Sequence, residues 1–422
     1  MTLSAWYLLL LAVPVLLAGE AVCRRVPVLA RFNIPAPVVG GLGTSLLVLA
    51  LSFAGVTISF SSRTDAAWWT WLVTPEIEWL TRPQKAVNLP LLIAFFTCVG
   101  LNSTWRIVRS GSWQLLLFWG LATVLAVGQS FTGVALANVL GVDSLLGLIC
   151  GSVSMTGGHG TALGFADTIK QAGYAEAATA GAAAATFGLV AGGLLGGPIG
   201  TRLIQRFQLP VPGAARASSA GSSSAGGILT DIGRLAGTGR SAVVHLLILA
   251  GCIKVGAWVS YFLQSLGIVF PAYMGALLVG VALRNFLDAT GRPWIRSEVV
   301  DLIGAVALGL FLAMAMASLN LRELAGAAGP MLIILVAQVT LTALFAWWVT
   351  FRLLGRDYDA AVMAGGHCGF ALGATPNAVA NMDALARRYG PAPRAYTVVP
   401  PVGAFLIDFT NALTITAFLN FL

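Results

Sequence analysis

Ten long runs of apolar residues, separated by short polar gaps, dominate the sequence. A helix needs roughly 20 such residues to cross the hydrocarbon layer of a bilayer. The runs lie at about 5–22, 38–59, 86–102, 113–140, 175–201, 241–266, 268–287, 298–319, 330–354 and 395–420. Only 9% of the residues are charged, whereas soluble domains carry about 25%. We therefore predict an all-α polytopic membrane protein with ten transmembrane helices.

Two further apolar stretches, at about 143–171 and 358–388, are too often interrupted to cross a membrane as single helices. Each contains a Gly-Gly-His motif, 157-GGHG-160 in the first and 365-GGHC-368 in the second. Non-helical backbone at membrane depth is tolerated where protein or a water-filled cavity satisfies its polar groups. Each stretch is therefore predicted to be a re-entrant hairpin with the Gly-Gly-His motif at its tip.

The two halves of the chain carry matching motifs in the same order. The run 34-IPAPVVGG-41 matches 269-VFPAYMGA-276, and 99-VGLNST-104 matches 317-ASLNLR-322. The predicted divisions are an N-terminal repeat at 1–207, a flexible cytoplasmic linker rich in Ser and Gly at 208–240, and a C-terminal repeat at 241–422. Because five crossings per half is an odd number, the second repeat is inverted, a recurring design of secondary transporters.

The positions of Lys and Arg predict the sidedness of the protein. With the N-terminus placed outside, most of the 24 Lys and Arg residues fall in gaps on the inner side, as expected for cytoplasmic loops. We therefore expect a multi-pass inner-membrane protein with both termini outside the cytoplasm. The net charge of +8 does not indicate a nucleic-acid partner, because the basic residues are not clustered on one element.

One outer gap, at 60–87, contains the aromatic motif 68-WWTW-71. Aromatic side chains concentrate at the membrane–water interface, so we expect an outer-surface element, with a lid over a substrate as the alternative. Lys254 lies inside the sixth apolar run. Its long stem allows the ammonium group to reach the interface.

The residues of the two predicted tips are candidates for substrate binding. Glycines let backbone N–H and C=O groups approach a ligand closely, and the N-termini of half-helices favour anions. The candidates are Ser154, Thr156, Gly157, Gly158, His159, Gly160 and Thr161 in the first hairpin, and Gly365, Gly366, His367, Cys368, Gly369, Thr375 and Asn377 in the second. Thr375 followed by Pro376 is typical of an N-cap and first helical residue. Capping and inter-helix hydrogen bonds are the alternative roles for the polar side chains.

Two of the three histidines, His159 and His367, lie in these motifs. They fit substrate contacts, proton carriers or structural residues, and the sequence leaves the three roles open. The third, His245, begins the sixth run and is interpreted as structural. Neither a metal cluster nor a cofactor motif is predicted.

Asp408 is an acid deep in the last apolar run, where a charge is costly and usually functional. Asn411 shares its helix face, and such hard oxygens suit Na⁺. The predicted Na⁺ ligands are Asp408, Asn411, Asn102, Asn320 and Asn381, with helix capping as the alternative role for Asn102 and Asn320. For Asp408, contact with a substrate ammonium group and a structural pair with Asn411 remain alternatives.

Three longer motifs, 155-MTGGHGTA-162, 365-GGHCGFALGATPNAVANMDA-384 and 398-VVPPVGAFLIDFTNA-412, resemble those of the bacterial sodium:glutamate symporters, the ESS family. The resemblance spans essentially the whole chain. The resemblance implies uptake of glutamate with Na⁺ as the coupling ion and without a cofactor. It also implies a homodimer in membrane lipid. The transport motion would be an elevator motion like that of the sodium-citrate carriers. By the same analogy, helices 3–5 and 8–10 with both hairpins form the mobile core, and helices 1, 2, 6 and 7 form the scaffold.

Other functions remain to be separated from this one. A Na⁺- or H⁺-coupled carrier of citrate or another dicarboxylate would share the architecture. A channel would need a filter repeat that the sequence lacks. An intramembrane enzyme would need a nucleophile and base, such as Ser154 with His159 or Cys368 with His367, and neighbours on a glycine turn are poorly placed for this. The chain is therefore predicted not to be an enzyme.

Overall fold

The computed structural model describes most of the chain. The described residues are 2–27, 29, 35–53, 58–60, 63–64, 66–82, 87–88, 90–104, 113–211, 228–266, 270, 272–291, 294–319 and 328–422. Within them the chain is almost entirely helical, which confirms the predicted all-α class. The exceptions are two short pairings of two-residue strands, the parallel β1 (Thr2–Leu3) with β2 (Ser59–Phe60) and the antiparallel β3 (Arg63–Thr64) with β4 (Val87–Asn88).

Eighteen helices are used below as landmarks. They are α1 (Ala5–Arg25), α2 (Ala36–Phe53), α3 (Ala67–Val73), α4 (Glu76–Thr81), α5 (Leu91–Asn102), α6 (Trp113–Val139), α7 (Ser144–Leu148), α8 (Gly158–Gln171), α9 (Ala177–Arg206), α10 (Ile228–Gly237), α11 (Arg240–Ser265), α12 (Ala272–Ala289), α13 (Ser297–Ala317), α14 (Ala328–Phe345), α15 (Tyr358–Ala371), α16 (Thr375–Tyr389), α17 (Pro393–Pro401) and α18 (Ile407–Phe421). Three π-helical segments complete the set. Ile149–Val153 extends α7, Ala346–Thr350 extends α14, and Val402–Leu406 joins α17 to α18.

Seven of the described helices are long and apolar enough to cross a membrane, and α17 with α18 forms an eighth candidate as a bent pair. The seven are α1, α2, α6, α9, α11, α13 and α14 with its extension to Leu353. Each of the ten predicted runs coincides with a helix. However, α5 has only 12 residues, and α12 carries Arg284 and Asp288 near its end. The structure therefore shows a polytopic membrane protein with seven or eight candidate spans by length and composition.

The chain divides into two compact units, and each takes helices from both halves of the sequence. The first unit comprises Met1–Val26, Pro35–Trp105 and Ala225–Arg322, and the second comprises Pro27–Ile34, Arg106–Ser224 and Glu323–Leu422. The second unit contains both predicted hairpins, so we call it the hairpin unit. The first is called the scaffold unit.

Helices of the scaffold unit approach each other closely at glycines. A Cβ atom on Gly40 of α2 would collide with the carbonyl of Val15 in α1, and one on Gly100 of α5 would collide with the carbonyl of Leu277 in α12. Small residues at such contacts let helix backbones pack tightly where lipid provides no hydrophobic driving force.

This packing corrects the expected division into core and scaffold. Helices 3 and 8, which are α5 and α13, belong to the scaffold unit. Gly100 holds α5 against α12, and Gly41 of α2 faces Met316 of α13. The analogy with the sodium-citrate carriers could not predict these helix contacts, because they depend on which glycines meet in space.

The C-terminal part of the predicted flexible linker is helical. The Ser-rich part of the linker, 212–227, lies outside the described residues, but α10 occupies Ile228–Gly237 and α11 begins at Arg240. Ile232 and Leu235 of α10 are partly buried against apolar clusters of the scaffold unit. Their spacing places them on one helix face, which explains why this part is helical.

The outer gap with the aromatic motif forms the two short helices α3 and α4, which Lys254 of α11 holds in place. Its ammonium group donates to the carbonyls of Trp71 (2.6 Å) and Thr74 (2.7 Å) and lies 2.9 Å from Glu76 Oε1. This hydrogen bond to Lys254 holds the pKa of the Glu76 carboxyl below its usual range. Lys254 therefore serves as an anchor for the surface helices.

We expect Lys254→Met to lower the melting temperature of the purified protein, because two backbone carbonyls lose their donor, at a cost of about 1–3 kcal/mol. Thermal unfolding followed by intrinsic fluorescence would measure the change. Lys170→Met, which removes an exposed cation at the end of α8, is the control. Equal melting temperatures for the two variants would contradict the anchoring role.

Candidate functional site

The first hairpin runs from α7 to α8 and reverses at residues 154–157. Asp143 caps its entry by accepting from the backbone N–H of Leu145 (2.8 Å). The descending arm leaves regular helix at Gly151, whose φ of −85° and ψ of −139° are non-helical. Gly158 has a φ of +61°, which glycine adopts without strain. The predicted re-entrant stretch at 143–171 is thus two helical arms with a turn at Ser154–Gly157.

The second hairpin runs from α15 to α16 and reverses at residues 372–374. Asp357 caps its entry through the backbone N–H of Ala360 (2.9 Å). The return arm begins at Thr375, with Ala374 as its cap residue and no side-chain capping bond. The predicted N-cap at Thr375 is therefore wrong by one position, and Pro376 is the second helical residue.

The 365-GGHC-368 motif does not form the second tip, contrary to the prediction. It lies inside α15, and its residues are buried. The side chain of His367 is enclosed by the rings of Phe118, Phe345 and Phe370, and its Nδ1 lies 2.8 Å from the hydroxyl of Thr350. Only the first Gly-Gly-His motif lies at a turn.

Glycines of α15 serve packing against α9 instead. Four glycines at every fourth position of α9 face this arm, namely Gly188, Gly192, Gly196 and Gly200. A Cβ on Gly196 would collide with the carbonyl of Gly365, and one on Gly192 would lie 3.0 Å from the carbonyl of Gly369. The two glycine stripes let the helix backbones touch, which accounts for Gly365 and Gly369 without a ligand.

The tips of the two hairpins meet. A Cβ added to Gly158 would lie 2.8 Å from the carbonyl oxygen of Gly373, so the start of α8 abuts the second turn. Gln129 of α6 links the same two places: its Oε1 accepts from Thr156 (2.7 Å), and its Nε2 donates to the carbonyl of Ala371 (2.8 Å). The structure thus brings the first predicted tip together with residues 371–375, while the predicted residues 365–369 lie farther up the arm.

Hydroxyl and imidazole groups of the first hairpin bond to neighbouring helices. Ser154 donates to the carbonyl of Gly181 (3.2 Å), and His159 Nε2 lies 2.9 Å from the hydroxyl of Thr186. His159 is 5% exposed. These side chains hold the hairpin against α9, so their predicted contact with a substrate stays a prediction.

Asn377 and Asn381 share one face of α16, as their spacing predicts. Their amide nitrogens donate to the carbonyls of Leu189 (2.7 Å) and Gly192 (2.9 Å) in α9. The Oδ1 atom of Asn377 is buried and receives no hydrogen bond from any described residue. This arrangement leaves a side-chain carbonyl oxygen free to contact a ligand.

The last membrane helix is broken next to Asp408. Pro393–Ala404 and Ile407–Phe421 are bent by 41°, and Trp119 Nε1 donates to the carbonyl of Leu406 (3.1 Å) at the break. Asp408, in the first turn after the break, is partly buried. Among the described residues, none forms an ion pair or a hydrogen bond with the Asp408 carboxylate.

Asn411 connects this helix to the first hairpin. Its Nδ2 donates to the carbonyl of Ser152 (3.1 Å), and its Oδ1 is buried without a donor from the described part of the chain. A Cβ on Gly403 would lie 3.1 Å from Thr375 Oγ1, so the break also borders the start of α16. Asn411 and the break are therefore packed against the two hairpins within the hairpin unit, and Asp408 lies about one helical turn before Asn411.

Two predicted Na⁺ ligands are not among these residues. Asn102 belongs to the scaffold unit, where its Nδ2 donates to Asp301 Oδ1 (2.7 Å). Asn320 lies outside the described residues. The structure therefore places only Asp408, Asn411 and Asn381 in the hairpin unit.

The sequence analysis missed the polar side chains of the membrane helices around the tips. Gln338 of α14 donates to the backbone carbonyl of Gln129 (2.8 Å), and Ser130 lies 2.8 Å from Ser152 through their hydroxyls. Thr342 accepts from Gln129 Nε2 (3.2 Å). A signal was present, because a glutamine in the middle of an apolar run is costly and has a specific partner or role.

The arrangement does not support nucleophilic catalysis. Ser154 bonds a backbone carbonyl and His159 bonds Thr186, so the two do not form a nucleophile and base. His367 likewise bonds Thr350 rather than Cys368. Oxygen atoms of side chains and backbone, rather than reactive groups, converge near the tips.

Apolar spans, two meeting hairpins and a broken helix with an unpaired acid define a multi-pass membrane transporter. The sodium/glutamate symporter family matches residues 1–74 and 67–391 of the chain. The sodium/glutamate symporter of Escherichia coli (strain K12) is 38% identical over 407 residues, which are 96% of this chain and 94% of that protein. That of Haemophilus influenzae is 35% identical over 421 residues, 97% and 96% of the two chains.

The chain therefore belongs to the sodium/glutamate symporter family of multi-pass inner-membrane proteins. The family resemblance stated from its motifs is confirmed. So is the prediction that the chain is a transporter and not an enzyme, because the matched relatives are named as symporters.

We expect Gly196→Ala to abolish transport while its neighbour Gly197→Ala preserves it. A Cβ at position 196 would collide with Asn381 and Gly365, whereas nothing lies within 4 Å of one at position 197. Uptake assays on matched amounts of purified variants would measure the difference. Similar activity in both variants would show that the glycine stripe tolerates separation of α9 from α15.

Proposed function

We propose that this protein carries glutamate across the bacterial inner membrane together with Na⁺. The observation that carries the proposal is the convergence of two hairpin tips with an unpaired carboxylate in one unit of a chain that belongs to the sodium/glutamate symporter family. The relatives are named for these two substrates. Binding of both glutamate and Na⁺ would also explain which chemical groups lie at the hairpin tips.

The tips provide the groups that an amino acid with two carboxylates needs. The return arms begin at Gly158 and Thr375, and the positive end of the helix dipole at a helix N-terminus favours anions. We assign the glutamate carboxylates to these helix N-termini, with hydroxyl groups of Ser154, Thr156 and Thr375 nearby. The turn of the first hairpin is also bordered by Gly157, Gly160 and Thr161.

Na⁺ is assigned to the oxygen atoms beside the break in the last helix. Asp408 supplies a carboxylate, and Asn411 and Asn377 each supply a buried amide oxygen without a donor from the described residues. Hard oxygen ligands suit small hard cations. Asn381 lies one turn beyond Asn377 and is a further candidate. A bound cation would also offset the negative charge of glutamate.

The division into two units supports an elevator mechanism. We propose that the hairpin unit carries substrate and ion as one body and that the scaffold unit remains fixed in the lipid, within a homodimer. The full topology would then comprise ten crossings in two inverted repeats, with α5 and α12 as short spans and both termini in the periplasm. Matching motifs in the two halves and the glycine contacts within each unit support this proposal.

A carrier of citrate or another dicarboxylate, coupled to Na⁺ or H⁺, would use a similar fold. The family match favours glutamate, because the relatives that cover nearly the whole chain are named as glutamate symporters. Competition of glutamate uptake by aspartate, citrate and succinate would separate the substrates.

Purified protein in liposomes should accumulate radiolabelled glutamate when an inward Na⁺ gradient is imposed. Replacement of Na⁺ by choline should reduce uptake to the level of empty liposomes. A proton gradient without Na⁺ is the control for the H⁺-coupled alternative. Uptake that persists unchanged in choline would overturn the proposed coupling.

Asp408→Asn should raise the Na⁺ concentration for half-maximal uptake at least about tenfold, because the site loses its charged oxygen, which corresponds to about 1.4 kcal/mol. The matched control is Asp383→Asn, since Asp383 accepts from the hydroxyl of Tyr396 and an amide oxygen can replace it. An unchanged Na⁺ requirement in Asp408→Asn would exclude Asp408 as a ligand.

A further inference from the structure

Gln129 makes contacts that neither the sequence pattern nor the family name assigns to a function. It lies within the apolar helix α6 and is fully buried. Its side-chain amide bonds three groups: the hydroxyls of Thr156 and Thr342, and the carbonyl of Ala371. Its own backbone carbonyl accepts from Gln338.

Two of these contacts reach the two hairpin tips. Thr156 lies in the turn of the first hairpin, and Ala371 is the last residue of α15 before the second turn. A single rigid amide therefore spans the place where Gly158 abuts Gly373.

The surroundings make this link sensitive to separation of the tips. An amide group buried away from water costs free energy when it loses its partners. If one tip moved away, either Oε1 or Nε2 of Gln129 would lose a bond. Gln338 fixes the backbone of α6 at the same residue, so the amide has little freedom to follow a moving tip.

We propose that Gln129 is a positioning residue that latches the two hairpin tips together, so that Na⁺ bound beside one tip strengthens glutamate binding at both. The inference rests on the proposed function, because it concerns how the two substrates of that site are coupled. Ligands are coupled when each favours the same conformation. The latch provides that shared conformation: both tips closed against one amide.

The test measures coupling rather than activity. For detergent-purified full-length protein, the coupling factor is the glutamate Kd at low Na⁺ divided by the Kd at saturating Na⁺. Gln129→Met keeps the size of the side chain and removes its hydrogen bonds. We expect the coupling factor to fall about tenfold, the equivalent of one to two hydrogen bonds, while the Kd at saturating Na⁺ changes less than about threefold.

Hydrogen exchange provides a second readout that a merely structural role would not change. In the wild-type protein, Na⁺ should slow exchange in peptides from both turns, 154–158 and 371–375. In Gln129→Met the response should be confined to one turn. Thr156→Val, which removes only the bond from the first tip, should reduce coupling less, and the two substitutions should not be additive because they share a bond.

Gln264→Met is the matched control, because the amide of Gln264 bonds the carbonyl of Phe270 in the scaffold unit. An unchanged coupling factor in Gln129→Met, or an equal loss in the control, would overturn the latch. A Kd raised by the same factor at low and saturating Na⁺ would leave the coupling factor intact and would likewise refute it. If Gln129→Met does not fold, Thr156→Val decides by the same criteria.

The failure of this inference is distinguishable from failure of the proposed function. If wild-type glutamate binding is indifferent to Na⁺, the proposed function is wrong. In that case exchange measured with glutamate alone still tests the latch: a response in both turns of the wild type and in one turn of Gln129→Met supports it, and identical responses refute it.

Discussion

Broken backbone inside an apolar environment needs partners, and this requirement shapes the hairpin unit. Helices satisfy their own N–H and C=O groups, but turns and helix ends at membrane depth cannot. Here the breaks are matched with polar side chains from neighbouring helices. Trp119 bonds the carbonyl of Leu406, Asn411 bonds that of Ser152, and Gln129 bonds that of Ala371. The polar residues of α6 and α18 are thus explained by the breaks that they face.

Close approach of helices is the second condition for this arrangement. Glycine stripes let α9 lie directly against α15. Asn377 and Asn381 then bond carbonyls of α9 with their amide nitrogens, and the Oδ1 atom of Asn377 is left without a donor from the described residues. Packing and site chemistry are therefore linked: the contact that places the second hairpin also leaves an oxygen without a donor.

The sequence predicts the elements better than it predicts their ends. Apolar runs of membrane length identify the helices, since composition alone decides what lipid will accept. The second turn was misplaced because 365-GGHC-368 matches a motif that does form a turn in the first hairpin. Gly373, inside the observed turn, and Pro376, just after it, are the ordinary signals for a chain reversal. The repeated motif obscured them, because similar residues serve packing in one repeat and a turn in the other.

For the candidate site, too, some features can be predicted from the sequence and others cannot. The sequence singles out Asp408 because an acid in an apolar run has few structural roles. Asn102 shows the same kind of signal, yet it bonds Asp301 in the scaffold unit. The sequence shows that a polar group is buried, but only the fold shows which partner satisfies it. Oxygens that the fold leaves unsatisfied, on Asn377 and Asn411, lie in the unit that also holds the unpaired carboxylate of Asp408. A cation held by these oxygens, as we propose for Na⁺, would supply the partner that the described residues do not, so the cost of leaving a polar atom buried without a partner would favour its binding.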